Sequence, residues 1–318
     1  MSRILSTFFS YNAAPLIGEL ELLKTFVNRV HDLEPNIKII VTTDSICAEF
    51  LEKICVTLKI MPVRNETLLL DRCKANYEVL TQFKGAEQII FSDYDVIFNT
   101  IPAPDSIESL MLTVRNIKHQ PINGGLLAFS NPSEISILLY KTILQHYLSL
   151  SANNQRWWGD QISLYEVLKK NSDDLFALRE FVYKGLCIRP VSTVDYNWTP
   201  FDFDSTPETH WKNFFISESS IKDYSTRRVL HFKGPRKHLM MQFARSDYGL
   251  SPEKRPEWFN LSSHTDVMDR LNQLCAKLTK GFLANDSVWE ISDQIFSFIP
   301  VLNSQEKTNV LTLSLIHI

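Results

Sequence analysis

Gln88-Ile89-Ile90-Phe91-Ser92-Asp93-Tyr94-Asp95-Val96-Ile97-Phe98 sets two carboxylates one residue apart at the end of a run whose β-branched and aromatic composition reads as a buried strand. In an extended chain alternate side chains share a face, so Asp93 and Asp95 point together and Tyr94 points away. Two close carboxylates repel unless something positive lies between them. A divalent cation bridging to a phosphate-bearing ligand meets that need, because hard cations take oxygen ligands and want only one or two protein carboxylates when phosphates complete the shell. The competing reading is a solvated turn at a strand end, and the tripeptide alone does not separate the two.

Upstream of this stretch, strand-like and helix-like runs alternate. Residues 4–10 and 37–43 read as strands, and 17–30, 48–58 and 70–83 read as helices. The alternation predicts an α/β sheet of parallel strands with crossover helices, in which ligands bind beyond the carboxyl ends of the strands. Asn12, Asp44 and Asp93 all fall at or just past such ends. Asp44 closes the second strand and is equally suited to cap the helix that follows. Tyr11 is placed either to stack on a base or to sit as an ordinary rim aromatic. Arg72, on the helix before the acidic pair, either reaches a diphosphate or lies on a solvated face.

Downstream come three further segments. Pro121-Ile122-Asn123-Gly124-Gly125-Leu126 pairs two of the chain's nine glycines before another apolar run, so backbone must pass close to something there. Trp157-Trp158-Gly159-Asp160-Gln161 leads into the helical pattern Ile162, Tyr165, Leu168. Val229-Leu230-His231-Phe232-Lys233-Gly234-Pro235-Arg236-Lys237 ends a short strand with a histidine, followed by a glycine and a lysine at three-residue steps.

With the acidic pair, these segments resemble the GT-A glycosyltransferases, in particular the retaining family that includes glycogenin and the bacterial lipopolysaccharide galactosyltransferases. There an Asp-x-Asp, an Asn-x-Gly, an Asp-Gln and a His-x-x-Gly-x-x-Lys follow one another in this order. The likeness covers roughly residues 1–245. One departure is that Lys237 is followed by His238-Leu239 where the family often has Pro-Trp.

The resemblance implies a Rossmann-like nucleotide-sugar-binding fold and a transfer from a UDP-sugar to a glycan or lipid-linked glycan, with retention. It implies a metal held by Asp93, Asp95 and His231; two oxygen ligands and one nitrogen suit Mn²⁺, with Mg²⁺ as the alternative. Asn123 and Gly125 would line the donor-sugar pocket, and Asp160 and Gln161 would sit beside the donor sugar near the reacting carbon. Gly234 would let backbone approach the phosphates and Lys237 would add a compact positive charge. Asp44 would contact the base or ribose, with Tyr11, Asn12 and Arg72 completing the donor site. Trp157 and Trp158 are either an acceptor platform or core aromatics.

Composition bounds the remainder. The 318 residues are 44% hydrophobic and 22% charged, with a net charge of −3, so no global attraction to nucleic acid or an anionic membrane is expected. Five dispersed cysteines without a Cys-x-x-Cys fit a reduced, cytoplasmic setting. No uninterrupted apolar run reaches bilayer-spanning length, which is compatible with peripheral membrane contact.

Residues 1–250 are expected to form the glycosyltransferase domain. Residues 251–312 are expected to form a small helical appendage, from the spacing of Val267, Leu271, Leu274 and Leu278. Residues 313–318 match the translation of a sequencing-library adaptor, so the natural chain is expected to continue past Thr312. Two other functions compete. A sugar nucleotidyltransferase would want a Gly-rich, basic loop after the first strand, which Ser10-Tyr11-Asn12-Ala13-Ala14-Pro15 lacks. A silent glycan- or nucleotide-binding module would keep the fold without turnover.

Overall fold

The computed structural model describes residues 2–11, 13, 15, 17–52, 54, 56–64, 67–117, 120–156, 158–199, 224–232, 240, 243–244, 269–274 and 276. Asn12, Trp157, Gly234, Lys237 and the tail 313–318 lie outside the described residues, as does most of the expected appendage.

The elements run β1 (Arg3–Phe8), α1 (Ile17–Leu33), β2 (Lys38–Thr43), α2 (Ser45–Leu51), β3 (Thr57–Ile60), α3 (Leu68–Gln82), β4 (Gln88–Ser92) and β5 (Val96–Phe98). They continue with β6 (Ser109–Val114), β7 (Ile122–Ser130), α4 (Glu134–Ser149), α5 (Ala152–Arg156), α6 (Gly159–Leu168), α7 (Ser172–Phe176), β8 (Phe181–Tyr183), β9 (Leu186–Ser192), α8 (Thr193–Tyr196), β10 (Asn197–Trp198) and β11 (Val229–His231). This is a mixed α/β architecture. Eight strands form the main sheet in the order β3-β2-β1-β4-β7-β6-β9-β8, and β10-β11-β5 form a small second sheet.

The periodicity behind these elements is visible in what they bury. Along α1, Leu22, Leu23, Phe26, Val27 and Val30 recur at helical spacing and are all buried. Every residue of β4 is buried, as expected of a strand covered on both faces. Ile89, Phe91, Leu110, Leu112, Phe129, Tyr140 and Leu164 meet in one core cluster, joining the sheet to α4 and α6.

One sequence expectation needs correction. The helix expected over 48–58 starts at Ser45 and stops at Leu51; Leu58 belongs to β3, where Thr57-Leu58-Lys59-Ile60 pairs in parallel with β2. The strands of the alternating stretch are parallel as expected, β1 to β2 and β4 and β2 to β3, and beyond it β7 runs antiparallel to both β4 and β6. The link from Val114 to Ile122 is too short for a crossover of a dozen residues, so β6 and β7 can only form a hairpin.

The chain divides into two compact units, one of residues 1–199 and 226–231, the other of 200–225 and 232–318. β11 belongs to the first unit, although residues 200–225 before it belong to the second. Within the second unit, Tyr224, Phe232 and Phe243 form a ring cluster with centroids 5.8–6.4 Å apart. Among the described residues no helix is long and apolar enough to cross a membrane.

Candidate metal and donor site

β1, β2 and β4 are parallel neighbours, so their carboxyl ends open on one edge of the sheet. Asp93 follows β4 on that edge. After the turn, β5 leaves the main sheet and pairs antiparallel with β11, setting His231 opposite Val96 and next to Asp95. The ligand atoms of Asp93, Asp95 and His231 consequently lie within 4.8 Å of one another. His231 Nε2 is 3.1 Å from Asp95 Oδ1 and 3.5 Å from Asp93 Oδ2. Tyr94 turns the other way, its hydroxyl 2.5 Å from that of Tyr11 and donating to Glu19 at 2.7 Å. Burial pushes the Asp93 carboxyl above its ordinary range; Arg72 and His231 oppose that rise, and Asp95 and Asp160 reinforce it.

Arg72 joins this group to the Asp160 segment. Its guanidinium donates to Asp93 Oδ1 at 2.7 Å and to Asp160 Oδ2. Burial works against the charge, yet Asp160 and Asp93 together hold the Arg72 pKa above its ordinary value. The solvated-face alternative for Arg72 is therefore not what is observed: the side chain is 16% exposed. Gln161 accepts from Arg115 Nη2 at 3.2 Å. Two residues before Asp160, Trp158 is 52% exposed and adopts the left-handed region at φ 59°, rare for a bulky side chain.

The glycine pair explains how these groups fit against one strand. Successive positions of β7 face opposite ways. A Cβ on Gly124 would stand 3.0 Å from Gln161 Cγ and 3.4 Å from Asp160 Oδ2. A Cβ on Gly125 would stand 2.6 Å from His231 Nδ1 and Cε1. The expected close approach of backbone is thus to two side-chain groups of the site, one on each side of the strand. The ladder with β6 is irregular here: Leu112 pairs Leu127 but Thr113 pairs Asn123, leaving 124–126 as extra residues. Bulges of this kind re-aim side chains beside functional sites. Gly125 N also donates to Asn123 Oδ1 at 3.2 Å, and its carbonyl accepts from Asp93 N at 3.1 Å.

Asp44 takes the capping alternative. Its Oδ1 accepts from the amides of Ile46 and Cys47 at 2.9 and 2.8 Å, and its Oδ2 accepts from Ser10 Oγ at 2.5 Å and from Tyr11 N at 3.2 Å. At 3% exposure it holds the Tyr11 segment in place rather than presenting a carboxylate to the edge. Tyr11 itself packs edge-on against Phe9, with centroids 5.3 Å apart.

Three residues of the site carried no signal in the sequence. Asn197 Oδ1 lies 2.7 Å from His231 Nδ1, Thr113 Oγ lies 3.3 Å from Asn197 Nδ2, and Arg115 holds Gln161.

No protein-family model and no curated protein matches the chain. Among solved structures, one described as a glycosyltransferase involved in the glycosylation of the major capsid of PBCV-1 is 12% identical. The match covers 75% of this chain and 99% of that one, with a TM-score of 0.42. At that identity and score the likeness is no argument about function.

Proposed function

We propose that the chain is a metal-dependent glycosyltransferase, similar to the retaining glycogenin-like family, that moves a sugar from a UDP-sugar to a glycan or lipid-linked glycan. The observation that carries this reading is the convergence of Asp93, Asp95 and His231 at the carboxyl edge of the sheet. Two hard oxygens and an imidazole nitrogen fit Mn²⁺, with Mg²⁺ as a substitute. A bound divalent ion would act as a Lewis acid for the charge that gathers on a departing diphosphate.

The chain's own residues then have distinct tasks. Asp93, Asp95 and His231 hold the ion. Arg72 keeps Asp160 beside them and offsets the charge of both carboxylates. Asp160 is assigned to stabilising positive charge at the anomeric carbon and Gln161 to a sugar hydroxyl, consistent with front-face attack without a covalent intermediate. Tyr11 and Asn12 are assigned to the nucleoside, Gly234 and Lys237 to the diphosphate. Asp44 acts on the nucleoside only through the Tyr11 segment that it anchors.

The test is UDP release from a panel of UDP-sugars with and without Mn²⁺, together with UDP titration. Asp95→Ala and His231→Ala are each expected to weaken Mn²⁺-dependent UDP binding and to slow transfer by at least about 10²-fold, the scale of a lost electrostatic stabiliser. Circular dichroism should be unchanged. Full activity in both variants would overturn the metal-site assignment, and UDP binding indifferent to metal with no UDP release in the parent would favour a silent binding module.

A further inference from the structure

One buried hydrogen-bond chain behind the acidic pair assigns its own protons. Thr113 Oγ lies 2.8 Å from the Asn123 carbonyl oxygen. A carbonyl only accepts, so the Thr113 hydroxyl hydrogen is committed there. In its other contact, 3.3 Å from the Asn197 amide, Thr113 must therefore accept. The NH₂ of Asn197 consequently faces Thr113, and its Oδ1 faces His231 Nδ1 at 2.7 Å. An amide oxygen also only accepts, so Nδ1 carries the proton, and in the neutral ring Nε2 is the bare nitrogen.

That bare nitrogen is the atom 3.1 and 3.5 Å from the carboxylates of Asp95 and Asp93. With the ring neutral, lone pairs of three ligand atoms converge, an arrangement that a divalent cation between them relieves. The chain has little freedom to rearrange. Thr113, Asn197, His231 and Asn123 are 0%, 1%, 4% and 6% exposed, and the missing Cβ of Gly125 is the space the imidazole fills.

We propose that Asn197, backed by Thr113 and the Asn123 carbonyl, is the positioning residue that sets His231 in the Nδ1–H tautomer and aims Nε2 at a divalent cation between Asp93 and Asp95. This rests on the metal-site reading above and extends it to residues that touch neither ion nor substrate. It also gives Asn123 and Gly125 a task directed at His231, separate from any contact with a sugar.

The test uses the full-length chain and two readouts, ¹⁵N NMR of the His231 ring in metal-free protein and Mn²⁺ titration without nucleotide. The parent should show the Nδ1–H tautomer and bind Mn²⁺. Asn197→Leu, which removes the acceptor at similar volume, should lose the single tautomer and bind Mn²⁺ about 10- to 100-fold more weakly, the usual effect of removing a partner that orients a ligand. Asn197→Asp keeps an acceptor toward Nδ1 and should retain the Nδ1–H tautomer. Thr113→Val is nearly isosteric, so it should fold even if Asn197→Leu does not, and by freeing the amide to rotate it should give an intermediate loss. An Nε2–H tautomer in the parent, or parental Mn²⁺ affinity in both Asn197→Leu and Thr113→Val, would overturn the positioning role. A parent with the Nδ1–H tautomer and no Mn²⁺ binding would instead overturn the metal reading, and the proposal with it.

Discussion

Arg72 stands between Asp93 and Asp160, which have three strands and two helices between them in the chain yet share one guanidinium. Removing one partner of a buried ion pair costs more than the pair is worth, because the remaining charge is left without compensation. Arg72→Met is therefore expected to destabilise the metal-free protein by about 3 kcal/mol, the low end for buried pairs because Asp93 keeps 26% of its side chain exposed. Part of the lost melting temperature should return on adding Mn²⁺, since a cation at Asp93 replaces half of what Arg72 did; no recovery would place the stabilising ion elsewhere. The two adjacent glycines should also behave differently. A Cβ on Gly125 meets the confined His231 ring at 2.6 Å, whereas one on Gly124 meets the flexible Gln161 stem at 3.0 Å. Gly125→Ala is expected to cost about 1–3 kcal/mol, the range for overpacking, and Gly124→Ala less. Chemical denaturation of both variants would decide it, and equal losses would mean that the His231 ring is free to give way.

At the level of elements, two carboxylates cap helices, one of them from a distance. Ser133 caps α4 by accepting from Ile135 N at 3.1 Å. Glu108, on the segment before β6, accepts from the amides of Ser133 and Ser136 at 2.9 and 3.1 Å and from both their hydroxyls at 2.6 Å. Burial opposes the Glu108 charge, but the hydrogen bonds from Ser133 and Ser136 prevail and its pKa is lowered. For an acid whose folded-state pKa is depressed, the stabilisation is complete above the unfolded value, here 4.5, and is lost as pH falls through the lower folded value. Glu108→Gln is accordingly expected to lower stability by about 1–2 kcal/mol at neutral pH, as for other lost caps. The difference from the parent should close at pH values well below 4.5, as thermal melts across pH would show. A gap that persisted in acid would mean that the loss comes from packing and not from the charge. Asp44 does the same for α2 while also tethering Ser10 and Tyr11, so the carboxyl ends of β1 and β2 are tied together by one side chain.

On the scale of the whole molecule, the site depends on a strand that comes back. β11 belongs to the first compact unit although residues 200–225, which precede it, cluster with the second. A chain ending at residue 246 retains β11 and is expected to keep Mn²⁺-dependent UDP binding. One ending at residue 199 keeps every strand of the main sheet but loses His231 and the partner of β5, and should lose that binding. Binding retained by the shorter chain would remove His231 from the site.

From local pattern alone the sequence determined the βα alternation, the strand-end position of the acidic pair, and the need for close backbone approach at Gly124 and Gly125. Each of these follows from side-chain period or from a residue's own conformational freedom, and both are written within a few neighbouring positions. The tertiary structure alone decided that β7 inserts antiparallel, that Arg72 faces Asp160 across 88 positions, and that Thr113 and Asn197, 84 apart, direct the His231 proton. These are pairings made by sheet register and by satisfaction of buried polar groups. No local period encodes which distant donor will meet which acceptor once the strands have closed.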